Sequence, residues 1–117
     1  MKVKTSELTD AALDRTVAEC RGFDGLDEDL WLMRDGIADM PLHAYTPSTD
    51  WAQGGPIIER ERLSTNYSGY KGRPWYATHP NAGRKAQMDG PTPLIAAMRC
   101  YVASRLGDEV DVPDELV

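Results

Sequence analysis

The sequence predicts a single small α+β domain, in which about three helices pack on a short antiparallel sheet that contains the hairpin 63–79. Three observations lead to this prediction. Apolar residues recur at helical spacing near both ends of the chain and near its centre. Between the last two helical segments, polar and apolar residues alternate with a period of two, which is typical of strands. A chain of 117 residues with 41% hydrophobic residues is also large enough to fold alone.

The first helix is predicted from its ends and from its spacing. Thr9 is a suitable N-cap residue, and Gly22 is suited to follow the last helical turn. Between them, Leu13, Val17 and Cys20 share one face at intervals of four and three residues. We therefore expect an ordinary half-buried helix.

Residues 23–47 give the weakest pattern in the chain. The segment D-L-W-L-M-R-D-G-I, residues 29–37, predicts a short strand that ends in an Asp-Gly turn. Pro41 and Pro47 indicate that the remainder is an irregular or extended connection.

The stretch S-T-D-W-A-Q-G-G-P-I-I-E-R-E, residues 48–61, predicts a helix with an unusual centre. Ser48 is suited to the N-cap position. Pro56 cannot donate a backbone hydrogen bond to the preceding turn, and Gly54 and Gly55 lower the helix propensity further. We therefore predict a kinked helix or two helical pieces, with Pro56 starting the second. The two glycines would let a neighbouring element approach closely.

A hairpin and a polar loop are predicted next. Alternation over 63–68 indicates the first strand, 69–72 the turn, and 74–79 the returning strand. Residues 81–89 are expected to form a polar loop.

The last helix is the clearest element. Thr92 is suited to its N-cap, Pro93 to its first turn and Gly107 to its end. One broad face is apolar and the other carries only small residues, so we expect the helix to be covered on more than one side. The small face is our candidate interface for another helix or a partner chain. It consists of Ala96, Ala97, Cys100, Ala103 and Ser104.

The last helix also sets the predicted domain boundary. Residues 1–107 are expected to form the domain, and residues 108–117 an acidic, extended C-terminal tail.

Composition and motifs argue against several classes of function. A net charge of −6 disfavours general binding of nucleic acid. No apolar run approaches the roughly 18 residues of a membrane span, and the first residues lack the apolar region of a signal peptide, so a cytoplasmic location is expected. Cys20 and Cys100 are interpreted as buried thiols, and His43 and His79 are isolated, so no metal site is predicted. Without a catalytic motif we predict no enzyme, no catalytic residue and no cofactor.

One segment departs from the acidic average of the chain. Between Glu61 and Asp89 there is no acidic residue, and basic and aromatic residues are interspersed. Guanidinium groups bind phosphate oxygens and aromatic rings stack on bases, so this segment is a candidate site for a nucleotide-like ligand. Its candidate residues are Arg73, Trp75, Tyr76, His79, Arg84 and Lys85. The alternative is a hairpin whose aromatic rings pack on helices while its basic groups stay in water. The charged run 59–62 is interpreted as a solvated helix end.

Three long motifs resemble one known family. They are M-K-V-K-T-S-E-L-T-D-A-A-L-D at the start, S-T-D-W-A-Q-G-G-P-I-I-E-R-E in the centre, and G-P-T-P-L-I-A-A-M-R-C-Y-V-A-S-R-L-G-D-E-V-D-V-P-D-E-L near the end. Together they resemble the NinX-like proteins of lambdoid phages and prophages. The order of elements is more loosely similar to the phage α/β/α-sandwich domain. The resemblance implies a phage or prophage source and the cytoplasm of the host bacterium, and it supplies no reaction.

Two functions follow as hypotheses. The first is a non-enzymatic accessory protein that binds a host or phage protein, or a second copy of itself, through the region of the apolar C-terminal helix. The second is a module that binds or sequesters a nucleotide-like small ligand through residues 67–85.

Overall fold

The computed structural model describes residues 1–116 and confirms the α+β class. The helices are α1 (Asp10–Cys20), α2 (Trp51–Glu61) and α3 (Pro93–Leu106). The strands are β1 (Lys2–Lys4), β2 (Gly25–Leu26), β3 (Trp31–Arg34), β4 (Ile37–Pro41), β5 (Ser64–Tyr67), β6 (Trp75–Thr78), β7 (Met88–Gly90) and β8 (Glu109–Asp111). Within the described residues they form three antiparallel sheets, in the orders β1-β8, β2-β3-β4 and β5-β6-β7.

Helix α3 lies at the centre of the core and has the predicted ends. The Thr92 hydroxyl accepts a hydrogen bond from the Ile95 N–H at 3.1 Å, and Gly107 ends the helix with a φ of +88°. The helix packs on α1, on α2 and on the sheet β5-β6-β7. Met98 and Val102 are fully buried as a result.

The predicted hairpin 63–79 is confirmed, and its sheet is larger than expected. β5 and β6 pair in register from Ser64 opposite Thr78 to Tyr67 opposite Trp75. The prediction of a polar loop over 81–89 is wrong at its end, because β7 pairs with the other edge of β6. Ala86 is buried just before this strand. A strand of three residues is too short to show an alternating pattern.

Residues 23–47 form the second sheet. The predicted strand and Asp-Gly turn are confirmed, since Asp35 and Gly36 both have positive φ, of 53° and 79°, as a tight hairpin turn with a primed geometry requires. The prediction of an irregular or extended connection misses strand β4 (Ile37–Pro41), which is extended but paired with β3. Leu32 points inward and is fully buried.

The acidic segment after Gly107 is extended in strand β8, forms a 3-10 helix at Asp114–Leu116, and is attached to the domain. β8 pairs antiparallel with β1, and the Thr5 hydroxyl donates a 2.7 Å hydrogen bond to the Gly107 carbonyl. Val110 and Val112 both belong to the hydrophobic core. Residue 107 is therefore the end of a helix and does not separate a detached tail from the domain.

Helix α2 corrects two predictions. The N-cap residue is Asp50, whose Oδ1 accepts from the Ala52 N–H at 2.9 Å, whereas Ser48 lies buried before the helix. The helix also continues through Pro56, so the prediction of a second helical piece starting there is wrong. Ala52 and Pro56 both lie on the exposed side of α2. The carbonyl that loses its partner therefore faces solvent, which lowers the cost of the proline.

The two glycines of α2 have different surroundings. A Cβ atom added at Gly54 would lie 2.5 Å from Cδ2 of Leu94 and would also collide with the carbonyl of Pro47. At Gly55 the same atom would meet nothing within 4 Å. The predicted close approach is therefore confirmed at Gly54 and wrong at Gly55.

Asp14 joins α1 to the segment that precedes α2, and it makes the stability depend on pH. Its side chain is buried, and Oδ1 accepts a 2.9 Å hydrogen bond from the Ser48 N–H. Burial raises the pKa of Asp14, against the opposing effect of the backbone hydrogen bond from Ser48. A carboxyl group whose pKa is raised by folding stabilises the protein most when protonated. This contribution is lost as the pH rises through the folded-state pKa.

Asp14→Asn keeps an acceptor oxygen without the charge. We therefore expect its free energy of unfolding to increase relative to that of the parent protein as the pH rises from about 3.5 to 7. Urea denaturation at several pH values measures this difference. Asp29→Asn, at an exposed position, is the matched control and should show no such trend. A difference between Asp14→Asn and parent that stays constant with pH would contradict the assignment.

Candidate functional site

The hairpin members of the predicted ligand site contact other residues of the hairpin and sheet. Arg73 forms a 2.8 Å ion pair with Asp89. Trp75 packs edge-on against Tyr67, with ring centroids 5.2 Å apart. Tyr76 is half-buried in β6. The alternative interpretation placed the aromatic rings of the hairpin on helices. Trp75 does pack against the core, whereas Tyr67 contacts Trp75 and is 68% exposed.

The other three predicted ligand residues lie near separate depressions of the surface. His79 lines a cleft beside the ends of α2 and α3. Lys85 lines an adjoining cleft, and Arg84 lies with Gln87 beside a shallow third one. The six predicted residues therefore do not line one common pocket. The nucleotide-like site over 67–85 stays a prediction.

The small face of α3, our candidate interface, is covered by the chain itself. Ala96, Ala97 and Cys100 are fully buried, and Ala103 is nearly so. Only Ser104 is partly exposed. A partner chain that contacts the folded protein must therefore use a different surface.

One polar concave site is not predicted from the sequence. We call it the basic cleft. It occupies about 490 Å³ beside the C-terminal ends of α2 and α3 and the loop after β6. The residues that give it its charge and hydrogen-bonding capacity are Arg60, Glu61, Arg62, His79, Asn81 and Arg105.

Glu61 lies on the floor of the basic cleft, with its side chain only 11% exposed. Arg105 Nη2 donates to both carboxylate oxygens at 3.3 Å, and Arg60 Nε donates to Oε2 at 3.4 Å. Burial by itself would raise the pKa of Glu61, but the hydrogen bonds and charges of Arg105 and Arg60 lower it overall. Glu61 is therefore ionised at neutral pH and orients two guanidinium groups at the cleft.

His79 is held in one orientation by the backbone. Its Nδ1 accepts hydrogen bonds from the N–H groups of Asn81 at 3.1 Å and Ala82 at 3.2 Å. An accepting nitrogen carries no proton, so the proton of the neutral ring is on Nε2. Nε2 lies 3.7 Å from Oε1 of Glu61 and provides a donor at the floor of the cleft.

Arg62 follows the last residue of α2 and has a left-handed backbone, with a φ of 57°. The Leu63 N–H donates to the Ile58 carbonyl at 3.0 Å across it, which is the Schellman pattern that normally favours glycine at this position. The Arg62 side chain is exposed and forms no ion pair with residues 1–116. The run E-R-E-R, residues 59–62, is the sequence signal for this cleft. The interpretation as a solvated helix end fits the exposed Arg60 and Arg62 but not Glu61.

The cysteines do not add a nucleophile. Cys100 is fully buried and Cys20 is partly buried, and neither forms a disulfide. Burial, as the largest cause, raises the pKa of each thiol to about 12. Both are therefore protonated at neutral pH, and the thiolate is the reactive form.

Among residues 1–116, no three His, Cys, Asp or Glu side chains are grouped so that they could hold a metal ion. None of the helices described is both long and apolar enough to span a bilayer.

The fold and the cleft define a small α+β protein with a basic, polar cleft beside the ends of two helices. The family model described as "Bacteriophage P22, NinX" matches residues 4–105, and the chain belongs to this family. The resemblance of the three motifs is thereby confirmed, and the protein is a phage accessory protein. A comparison with curated proteins finds no match.

Proposed function

We propose that this phage accessory protein acts without catalysis, by binding another protein through the outer face of its second sheet. The observation that supports the proposal is an apolar sheet face exposed to solvent. In the antiparallel pair of β3 and β4, Trp31 lies opposite Pro41 and Met33 lies opposite Ala38. Opposed residues share a face, and neighbours along a strand alternate between faces except where the register shifts, which happens here between Leu32 and Met33. The outer face thus consists of Trp31, Met33, Ala38 and Pro41.

The inner face of the same sheet is already used. Leu32 is fully buried, and Leu26 and Met40, which lie in register beside it, pack against the core. The side chains of the outer face have no such cover, and Trp31 remains 39% exposed. Tryptophan and methionine are enriched in protein interfaces, and tryptophan is frequent among the residues that dominate binding energy.

A site-specific crosslinking experiment tests this proposal. A photoreactive p-benzoylphenylalanine replaces Trp31 in one variant and Trp51 in the other, and the crosslinked products are isolated from infected cells. Trp51 is the matched control, since it is 56% exposed and lies on α2. We expect a product of defined mass from the replacement at Trp31 only.

The partner protein identified in the crosslinked product is then purified and titrated with this phage protein. We expect Trp31→Ala to weaken its binding by about thirtyfold, the effect of a 2 kcal/mol hot spot, and Trp51→Ala to leave it unchanged. If the crosslinked product contains a second copy of the chain, light scattering measures the oligomeric state. We then expect a dimer for the parent protein and a monomer for Trp31→Ala. Equal behaviour of the two variants, or no product specific to the Trp31 position, would contradict the proposal.

A further inference from the structure

The basic cleft carries an excess of positive charge in an acidic protein. The whole chain has a net charge of −6. Among the residues that line the cleft, three arginines stand against one carboxylate, which leaves two positive charges in excess. Glu61 is the one carboxylate and lies on the floor, whereas the side chains of Arg60 and Arg105 are 48% and 51% exposed.

The arginines retain hydrogen-bond donors for a ligand. A guanidinium group has five N–H donors in a fixed plane. Arg105 uses Nη2 and Arg60 uses Nε to hold Glu61, so their other donors remain for the cleft. Arg62 uses none of its side-chain donors within residues 1–116, although it occupies a backbone position where glycine is favoured. A residue that breaks a local rule without a structural gain is a candidate for function.

The size and lining of the cleft restrict the ligand. A volume of about 490 Å³ is larger than a phosphate ion needs and lies in the usual range of small-molecule sites. The adjoining cleft of about 500 Å³ shares Ser104 with it and offers space for the remainder of a molecule. Among the residues that line the two clefts, His79 carries the one aromatic ring, and its side chain is only 13% exposed, so little ring surface is available for stacking a base.

We propose that the basic cleft binds the phosphate group of a small phosphate monoester, through Arg62, Arg105 and Arg60, and does not recognise a nucleobase. Two excess positive charges match a dianion, and planar guanidinium groups bind phosphate oxygens in pairs. Glu61 holds two of the guanidinium groups in place before the ligand arrives, and Nε2–H of His79 contributes a further donor. The proposal does not depend on the outer face of the second sheet.

Nuclear magnetic resonance of the arginine side chains tests this site directly. The ¹⁵N-labelled protein is titrated with inorganic phosphate, ribose 5-phosphate and adenosine 5′-monophosphate, with sodium chloride keeping the ionic strength constant. We expect saturable shifts of the Nε–H resonances of Arg60, Arg62 and Arg105. The two esters should bind at least as tightly as inorganic phosphate and within about threefold of each other, because only the phosphate and the sugar are contacted.

Arg62→Gln is the decisive variant, because the Arg62 side chain is exposed and forms no ion pair or hydrogen bond within residues 1–116. It should weaken binding of ribose 5-phosphate about tenfold, the effect of losing one charge-assisted contact. Its thermal midpoint without ligand should stay close to that of the parent. Arg84→Gln removes the same charge outside the basic cleft and should leave the dissociation constant unchanged.

Three results would overturn the proposal. If Arg62→Gln and Arg84→Gln weaken the binding of ribose 5-phosphate equally, the protein attracts the ligand by its general charge and not through the basic cleft. The absence of saturable shifts at the three arginines would show that the cleft binds no phosphate. A preference of tenfold or more for adenosine 5′-monophosphate over ribose 5-phosphate would show that a base is recognised after all.

Discussion

Gly54→Ala is expected to lower the free energy of unfolding by about 2 to 3 kcal/mol, the cost of forcing an extra carbon into a packed contact. The new Cβ would lie 2.5 Å from Cδ2 of Leu94 and against the backbone carbonyl of Pro47. The leucine side chain can rotate, but the carbonyl can move only if the segment before α2 moves with it. Denaturant unfolding monitored by circular dichroism measures the loss.

Gly55→Ala is the matched control in the next position of the same helix. Its Cβ would meet no atom within 4 Å, and the alanine restricts the unfolded chain more than glycine does. We therefore expect a gain of about 0.5 to 1 kcal/mol. The two variants have the same change in helix propensity, so the difference between them isolates the packing contact. Similar stability of both would show that α2 does not approach Leu94 as closely as described.

Arg99→Met is expected to lower the free energy of unfolding by about 3 kcal/mol, because two charge-assisted hydrogen bonds are lost. Arg99 Nε donates to the Leu8 carbonyl and Nη1 donates to the Asp89 carbonyl, both at 2.8 Å. These bonds connect α3 with the segment before α1 and with β7. Burial lowers the pKa of Arg99 from its ordinary value, with the charge of Asp89 acting in the opposite direction.

The measurement for Arg99→Met is again denaturant unfolding, with Arg84→Met as the control. Arg84 is exposed, so its replacement should change stability by no more than about 0.5 kcal/mol. Arg99→Lys should lose an intermediate amount, because one ammonium group cannot reach both carbonyls in the planar geometry of arginine. Equal effects of the substitutions at Arg99 and Arg84 would show that the two partly buried hydrogen bonds contribute nothing.

The elements that the sequence predicted well carry their signals within a few residues. Thr92, Pro93 and Gly107 mark the ends of α3, and each acts on the backbone of its own helix. The turn at Asp35 and Gly36 was predictable for the same reason, since a positive φ favours these residues. The elements predicted poorly are β4 and β7, because a short strand is stabilised by its neighbour more than by its own residues.

The candidate sites show the same division between features with local signals and features that depend on neighbouring elements. His79 was selected from the sequence as a member of a basic aromatic segment. The structure places it instead beside Glu61 and Arg105, which are distant from it along the chain. The aromatic residues Tyr67 and Trp75 contact each other on the hairpin and do not line the basic cleft. Spacing along a strand indicates which residues share a face, but it does not show which helix ends lie beside them.

By itself, the sequence determined the α+β class, the ends of α3, the hairpin 63–79 and the family, because these depend on local backbone preferences and on long motifs. Only the tertiary structure decided that Gly54 and not Gly55 is the contact glycine, that the chain covers the small face of α3, and that three arginines meet around Glu61. The physical reason is that burial and charge depend on which residues approach in space. In this protein the approaching elements are distant in sequence.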